Sequence, residues 1–257
     1  MKFAILGLGE AGGALAADLV GLGATVFGWD PVPRSIPEGV HFMAGNPEAV
    51  RQADVVLSVN WASAAIEVAE EVLSVLRAEQ LYADMNTASP RTKQQVAQIL
   101  HQHNILFADV AIMAPILPRG IRTPTLASGP GADKYQQMMS TYHMPVSVVD
   151  NQAGSAATRK LLRSIVYKGI AAVIIEAQEA AKEFDCEAWL REQMLTLIDQ
   201  EATIERMIVG SRVHAKRRIE EMTAVSEMLR ELGVAPHMSE AAVQWLTDLQ
   251  RQKETND

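Results

Sequence analysis

The chain has 257 residues, enough for one large domain or two modest ones, each with a core of its own. Hydrophobic residues make up 48% and charged residues 21%, the balance of a soluble globular protein. A formal net charge of −8 argues against a nucleic-acid partner or an anionic membrane surface, and no uninterrupted apolar run approaches the ~20 residues of a membrane span.

The chain opens on KFAILGL, a short apolar run ending in glycine that predicts a strand buried on both faces. Glu10 to Leu22 then favours helix, with Leu15, Leu19 and Leu22 at helical spacing. The same stretch has the lysine, apolar core and small residues of a secretory leader, but Glu10 and Asp18 interrupt it, so retention as a folded element is expected. GLGATVFGWD reads as a turn and a second strand, and ADVVLSVN as another strand. Ala62 to Leu76 reads as an amphipathic helix. QLYADMN and ILFADVA are strands around the helical PRTKQQVAQILHQH, and TPTLASG and MPVSVVD supply two more around a helix from about Gly131 to Tyr142. Strand and helix alternating to about residue 150 predict a doubly wound, mostly parallel α/β sheet of the Rossmann type.

Within that context the glycines carry chemistry. Gly7, Gly9 and Gly12 form G-x-G-x-x-G directly after the first strand and at the head of the first helix. Gly7 makes the tight turn, Gly9 admits a pyrophosphate to the backbone, and Gly12 allows close packing of helix on strand. The helix start at Leu8, Glu10 and Ala11 offers backbone amides and a positive dipole end to phosphate. Asp30 closes the second strand 18 residues after Gly12, where an acid accepts hydrogen bonds from ribose hydroxyls. These residues predict dinucleotide binding. The charge of Asp30 favours NAD over NADP, whereas Arg34 and Ser35 in DPVPRS could instead accommodate a 2′-phosphate.

After Val149 the strand signal stops. Asn151 to Asp185 predicts one long helix, apolar nearly all round from Ile165 to Ala177 and therefore buried from several sides, between domains or at a dimer interface. Further helices are expected at Glu187–Ile198, Glu201–Leu232, closed by Gly233, and Ser239–Arg251. Two domains follow, an α/β domain over 1–150 and an all-helical domain over 151–257 for substrate binding and dimerisation. The single cysteine, Cys186, excludes an internal disulfide, offers no metal-ligand spacing and suits a reducing, cytoplasmic setting. Its acidic surroundings, FDCEAW, favour an inert thiol.

Lys160, Ser164 and Lys168 fall at i, i+4 and i+8 on one face of the long helix. A lysine there is either solvated or, facing a cleft, desolvated and placed near Arg163 and Lys168, as a general acid/base requires. Periodicity alone favours the solvated reading.

GLGEAGGALAADL, DMNTASP, ADVAIMAP and GSAATRKLLRS occur in the order and spacing of the β-hydroxyacid dehydrogenases. The chain resembles that superfamily over essentially its whole length, and within it the branch of 6-phosphogluconate dehydrogenase-like NAD-binding proteins. The resemblance implies that Lys160 is the catalytic lysine, exchanging a proton with the substrate hydroxyl as hydride moves to or from the nicotinamide. It places Asn60 and Asn86 at the cofactor, although both are also ordinary turn formers, and Thr87 at the substrate. Ser164 stands where the family has asparagine, so it donates one hydrogen bond and not an amide pair. The family's Ser-Gly-Gly loop is replaced by AIMAPILPRG, where Met113 offers apolar surface, so a phosphosugar acid is not expected. Carboxylate recognition falls to Arg163, or to HAKRR at His214–Arg218 if that run is more than a solvated helix face. The function so implied is an NAD(P)-dependent oxidoreductase acting on a small β-hydroxy acid or carbonyl compound, as a homodimer. An imine reductase or a non-catalytic NAD(P)-binding sensor are the alternatives.

Overall fold

The computed structural model describes every residue except Arg34, Asp199 and Asp257, and every side chain except those and residues 179, 180 and 253–256. Arg34, on which the NADP reading rests, lies outside the described residues. The chain forms two compact units, Met1–Lys160 and Leu161–Asp257.

The first unit runs β1 (Lys2–Leu6), α1 (Glu10–Gly21), β2 (Thr25–Trp29), β3 (Val40–Phe42), α2 (Asn46–Val50), β4 (Val55–Ser58), α3 (Ala65–Val72), β5 (Leu81–Asp84), α4 (Pro90–His101), β6 (Leu106–Ile112), α5 (Ile116–Arg119), β7 (Thr125–Ser128), α6 (Ala132–Ser140) and β8 (Val146–Val148). The strands make one sheet in the order β3-β2-β1-β4-β5-β6-β7-β8, parallel throughout except that β7 runs antiparallel to β6. Strand side chains alternate between two buried layers. Phe3, Ile5, Val55 and Leu57 pack toward Leu15 and Leu19 of α1 and Tyr135 of α6. Ala4, Leu6, Val56 and Tyr82 pack toward Val68 of α3 and Val96 and Leu100 of α4. A period of two with both faces covered explains why these strands read as unbroken apolar runs.

Chain order reverses between β1 and β4, so the crevice for a ligand opens beyond the carboxyl ends of these two strands. Three elements, β3, α2 and the four-residue α5, have no counterpart in the sequence reading. Strand β3 has only three residues, and its His41 and Phe42 are exposed at the sheet edge, so it carries no apolar run. Helix α2 is a five-residue turn started by Pro47. The helix expected over Ala62–Leu76 is shorter, a 3₁₀ turn at Ala62–Ala64 leading into α3.

Helix α7 (Ser155–Glu183) begins in the first unit and continues into the second, followed by α8 (Glu187–Leu197), α9 (Glu201–Val213), α10 (Ala215–Glu231) and α11 (His237–Asn256). The single helix expected over Glu201–Leu232 is two, broken at His214 (φ −113°, ψ 28°). The break lets Arg218 of α10 turn back on α9, where its guanidinium donates to Ser211 Oγ and sits 5.4 Å from the Tyr167 ring. Arg218 is thus buried, and HAKRR is not a uniformly solvated face. Along α7, Leu162, Val166, Ile170 and Val173 are 48, 61, 40 and 57% exposed in the single chain. They form one stripe, while the other faces supply Leu161, Ile174 and Ile175 to two small cores.

Candidate functional site

The glycine turn fits a dinucleotide on steric grounds. Gly7 has φ +104°, and a Cβ on it would lie 2.4 Å from Val59 O. A Cβ on Gly12 would lie 1.9 Å from Gly7 O, so helix and turn touch backbone to backbone. Gly9 differs, since a Cβ there would meet nothing within 4 Å. Its backbone faces open space at the start of α1, where the amides of Glu10, Ala11 and Gly12 have no intrahelical acceptor. That is the cradle a pyrophosphate needs.

Asp30, just past β2, holds the turn from the other side. Its Oδ2 accepts the Leu8 amide at 2.8 Å and its Oδ1 accepts the Val32 amide at 2.8 Å. The Leu8 amide is thereby committed to Asp30, and Leu8 itself is buried. Each carboxylate oxygen retains further acceptor capacity beyond these bonds.

Beyond β4 and β5 the wall continues. Asn60 donates its amide to Asn86 Oδ1, and the side chains of Asn60 and Asn86 both donate to Ser58 Oγ, at 3.1 and 3.2 Å. These asparagines are therefore tied to each other across two strand ends, with Ser58 the hub that sequence reading missed. Thr87 follows Asn86, and its Oγ1 accepts from Lys160 Nζ at 2.7 Å. A continuous path thus runs from the glycine turn through Asn60, Asn86 and Thr87 to Lys160, all within the first unit. Met113, just past β6, donates its amide to Pro124 O at 2.9 Å, which spends that amide within the protein.

Below this wall lies a second missed group. Lys93 of α4 is fully buried, and its ammonium stands 3.2 Å from Asp84 Oδ1 and 3.3 Å from Asp109 Oδ1. Burial pushes the Asp84 carboxyl above the usual carboxylate range, and the Lys93 charge opposes that rise only in part. The sequence signal was present: Lys93, Val96 and Leu100 share one buried stripe on α4, a place where lysine occurs only with partners.

In the second unit, Ser164 donates to Glu221 Oε1, which also accepts from Lys168 Nζ at 2.6 Å. All three are buried or nearly so, and desolvation holds the Lys168 ammonium below its ordinary pKa. The one hydroxyl proton of Ser164 is therefore spent on Glu221, while its oxygen accepts from Lys168 Nζ at 3.2 Å. Arg163, the preceding residue, is exposed.

Residues 2–115 match the NAD binding domain of 6-phosphogluconate dehydrogenase. Over these residues the chain is similar to that NAD-binding domain. Residues 181–249 match a domain of unknown function, DUF1932. Among relatives, an uncharacterized 28.5 kDa protein of Methanothermus fervidus is 24% identical over 93% of this chain and 94% of its own. A probable 3-hydroxyisobutyrate dehydrogenase of Mycobacterium bovis is 31% identical over 59% of this chain, an alignment spanning 51% of that protein. The structure of a conserved protein described as similar to 3-hydroxyacid dehydrogenases matches with a TM-score of 0.75 at 25% identity, covering 98% of each chain. A reductive aminase from Aspergillus terreus, solved with NADPH, matches with a TM-score of 0.64 at 18% identity over 98% of this chain and 94% of its own, a likeness of fold. Domain and neighbours accord with the β-hydroxyacid dehydrogenase superfamily.

Proposed function

We propose that the chain is an NAD(P)-dependent oxidoreductase acting on a small β-hydroxy acid or related carbonyl compound, with Lys160 as general acid/base. The observation that carries the reading is the 2.7 Å contact of Lys160 Nζ with Thr87 Oγ1, at the same carboxyl end of the parallel strands as the glycine turn. Gly7, Gly9, Gly12 and Asp30 would hold the dinucleotide, with Asn60 and Asn86 beside it. Bound NAD(P) accepts or supplies hydride. In oxidation Lys160 Nζ takes the proton of the substrate hydroxyl, and in reduction it returns one to the carbonyl oxygen. Thr87 accepts a hydrogen bond from Lys160, fixing where the ammonium points, and Arg163 is the residue assigned to a substrate carboxylate. Ser164 serves as an acceptor unless Glu221 releases it. The Asp30 carboxylate favours NAD over NADP by repulsion of a 2′-phosphate.

One observation favours the imine-reducing variant of the same chemistry. The amide of Met113 is consumed by Pro124, so this loop presents side chain in place of an anion-binding amide and suits a less anionic substrate. The exposed stripe on α7 supports a homodimer: four large apolar residues along one helix face suit burial against a second copy of themselves.

Turnover of hydroxy acids, amines with carbonyl compounds, and cyclic imines with both cofactors tests the reading. Lys160→Ala is expected to lower kcat by about 10²–10⁴-fold with little change in cofactor Kd. A variant that keeps near wild-type kcat refutes the role of Lys160. Nucleotide binding without turnover anywhere in that set supports a sensor instead.

A further inference from the structure

Asp84 and Asp109 are direct neighbours across β5 and β6, so two carboxylates stand side by side in a buried sheet. Like charges so placed repel, and burial weakens the screening that bulk solvent would give. Lys93 is the cation between them, and it also donates to the Asp84 carbonyl at 2.7 Å. Each aspartate then reaches a different wall of the candidate site. Asp84 Oδ1 accepts the Asn86 amide at 2.9 Å, which fixes the turn presenting Thr87. Asp109 Oδ2 accepts the Gly154 and Ala157 amides at 3.1 and 3.0 Å, and the Ser128 hydroxyl at 3.1 Å. Ser128 Oγ accepts the Ala156 amide at 2.9 Å, so the pair caps the first turn of α7, one turn before Lys160. The contact of Lys160 with Thr87 closes the ring.

We propose that Lys93 is a positioning residue for Lys160. By bridging Asp84 and Asp109 it holds the Thr87 turn and the capped start of α7 at the separation that sets Lys160 Nζ on Thr87 Oγ1. Its consequence for turnover rests on the reading of Lys160 given above; the geometry does not. Proton transfer is sensitive to such placement, since a misplacement of about 1 Å can cost on the order of a hundredfold in rate. An apolar side chain would fill the space of Lys93 and remove the cation that bridges the two carboxylates.

The test needs no substrate. Lys93→Met alone leaves two adjacent buried carboxylates and risks misfolding, so the informative variant is Lys93→Met with Asp84→Asn, which removes one charge of each sign. Full-length wild type and double variant are acetylated with acetic anhydride across a pH series, and each lysine is read by mass spectrometry. Lys134, which donates to Glu79 O at the surface, is the internal reference. The Lys160 rate is expected to change by about threefold or more, roughly half a pKa unit, while Lys134 holds. An unchanged Lys160 profile in a folded variant overturns the proposal. Should the methionine variant not fold, Lys93→Gln in the Asp84→Asn background keeps a donor and is read the same way. If Lys160→Ala abolishes turnover while the Lys160 profile is unmoved, Lys93 loses its role and the proton-transfer reading stands. A moved profile with full turnover in Lys160→Ala supports the geometry and removes that reading.

Discussion

Gly9 and Gly12 belong to one motif and have opposite physical reasons. Gly12 is required by the fold, because a Cβ would overlap the Gly7 carbonyl oxygen at 1.9 Å. Gly9 is not, since its backbone (φ −65°, ψ −161°) suits any residue and its Cβ position is open. Gly12→Ala is therefore expected to destabilise the protein by about 1–3 kcal/mol through overpacking. Gly9→Ala should leave stability within about 0.5 kcal/mol of wild type and weaken NAD(P) binding severalfold, because the methyl occupies the phosphate's approach. Thermal unfolding and nucleotide titration of both variants check the contrast, and equal stability losses would refute it. From sequence the two glycines are indistinguishable; only the neighbours of each Cβ separate them. Leu8 teaches the same lesson: its amide, a phosphate donor by motif, is committed to Asp30.

At the level of elements, helix ends and buried ion pairs set the architecture more than propensity does. The break between α9 and α10 is not marked by proline, and it is sustained by Arg218 returning to Ser211 and Tyr167. Gly210 makes room for that guanidinium, as a Cβ there would come within 2.7 Å of Arg218 Nη2. Helices α7 and α10 are tied by Lys168 and Glu221, a pair largely removed from water. Taking one partner away leaves the other charge buried, so Glu221→Leu is expected to cost about 3–5 kcal/mol. Adding Lys168→Met removes the orphaned ammonium, and an apolar pair of similar volume can recover most or all of that loss. A double-mutant cycle by denaturant unfolding measures this. Additive losses would show that the two charges do not compensate each other.

For the whole molecule, the unsatisfied feature is the stripe Leu162, Val166, Ile170 and Val173. Its spacing of four, four and three residues keeps it on one face of α7, where water would otherwise meet a row of large apolar side chains. The expected outcome by light scattering is a particle of twice the chain mass. Val166→Glu should shift it toward the monomer while leaving the glycine turn and its nucleotide affinity intact. A wild-type monomer at micromolar concentration would reject the dimer. Among the described residues no helix is long and apolar enough to cross a membrane.

The sheet was legible because both of its faces are buried, and each strand must then be an apolar run bounded by turn residues. The glycine motif was legible because phosphate binding imposes fixed spacing on a strand, a turn and a helix. Lys160 stood out only through the order of motifs along the chain; composition and periodicity left it an ordinary surface lysine. The tertiary structure decided what spacing does not encode. It set Asp84 beside Asp109 by strand register, and Lys93 between them by packing α4 on that sheet. It also turned Arg218 inward and α7's apolar stripe outward. These are long-range pairings of charge and surface, whose energies depend on burial and distance, and a linear sequence fixes neither until the elements have packed.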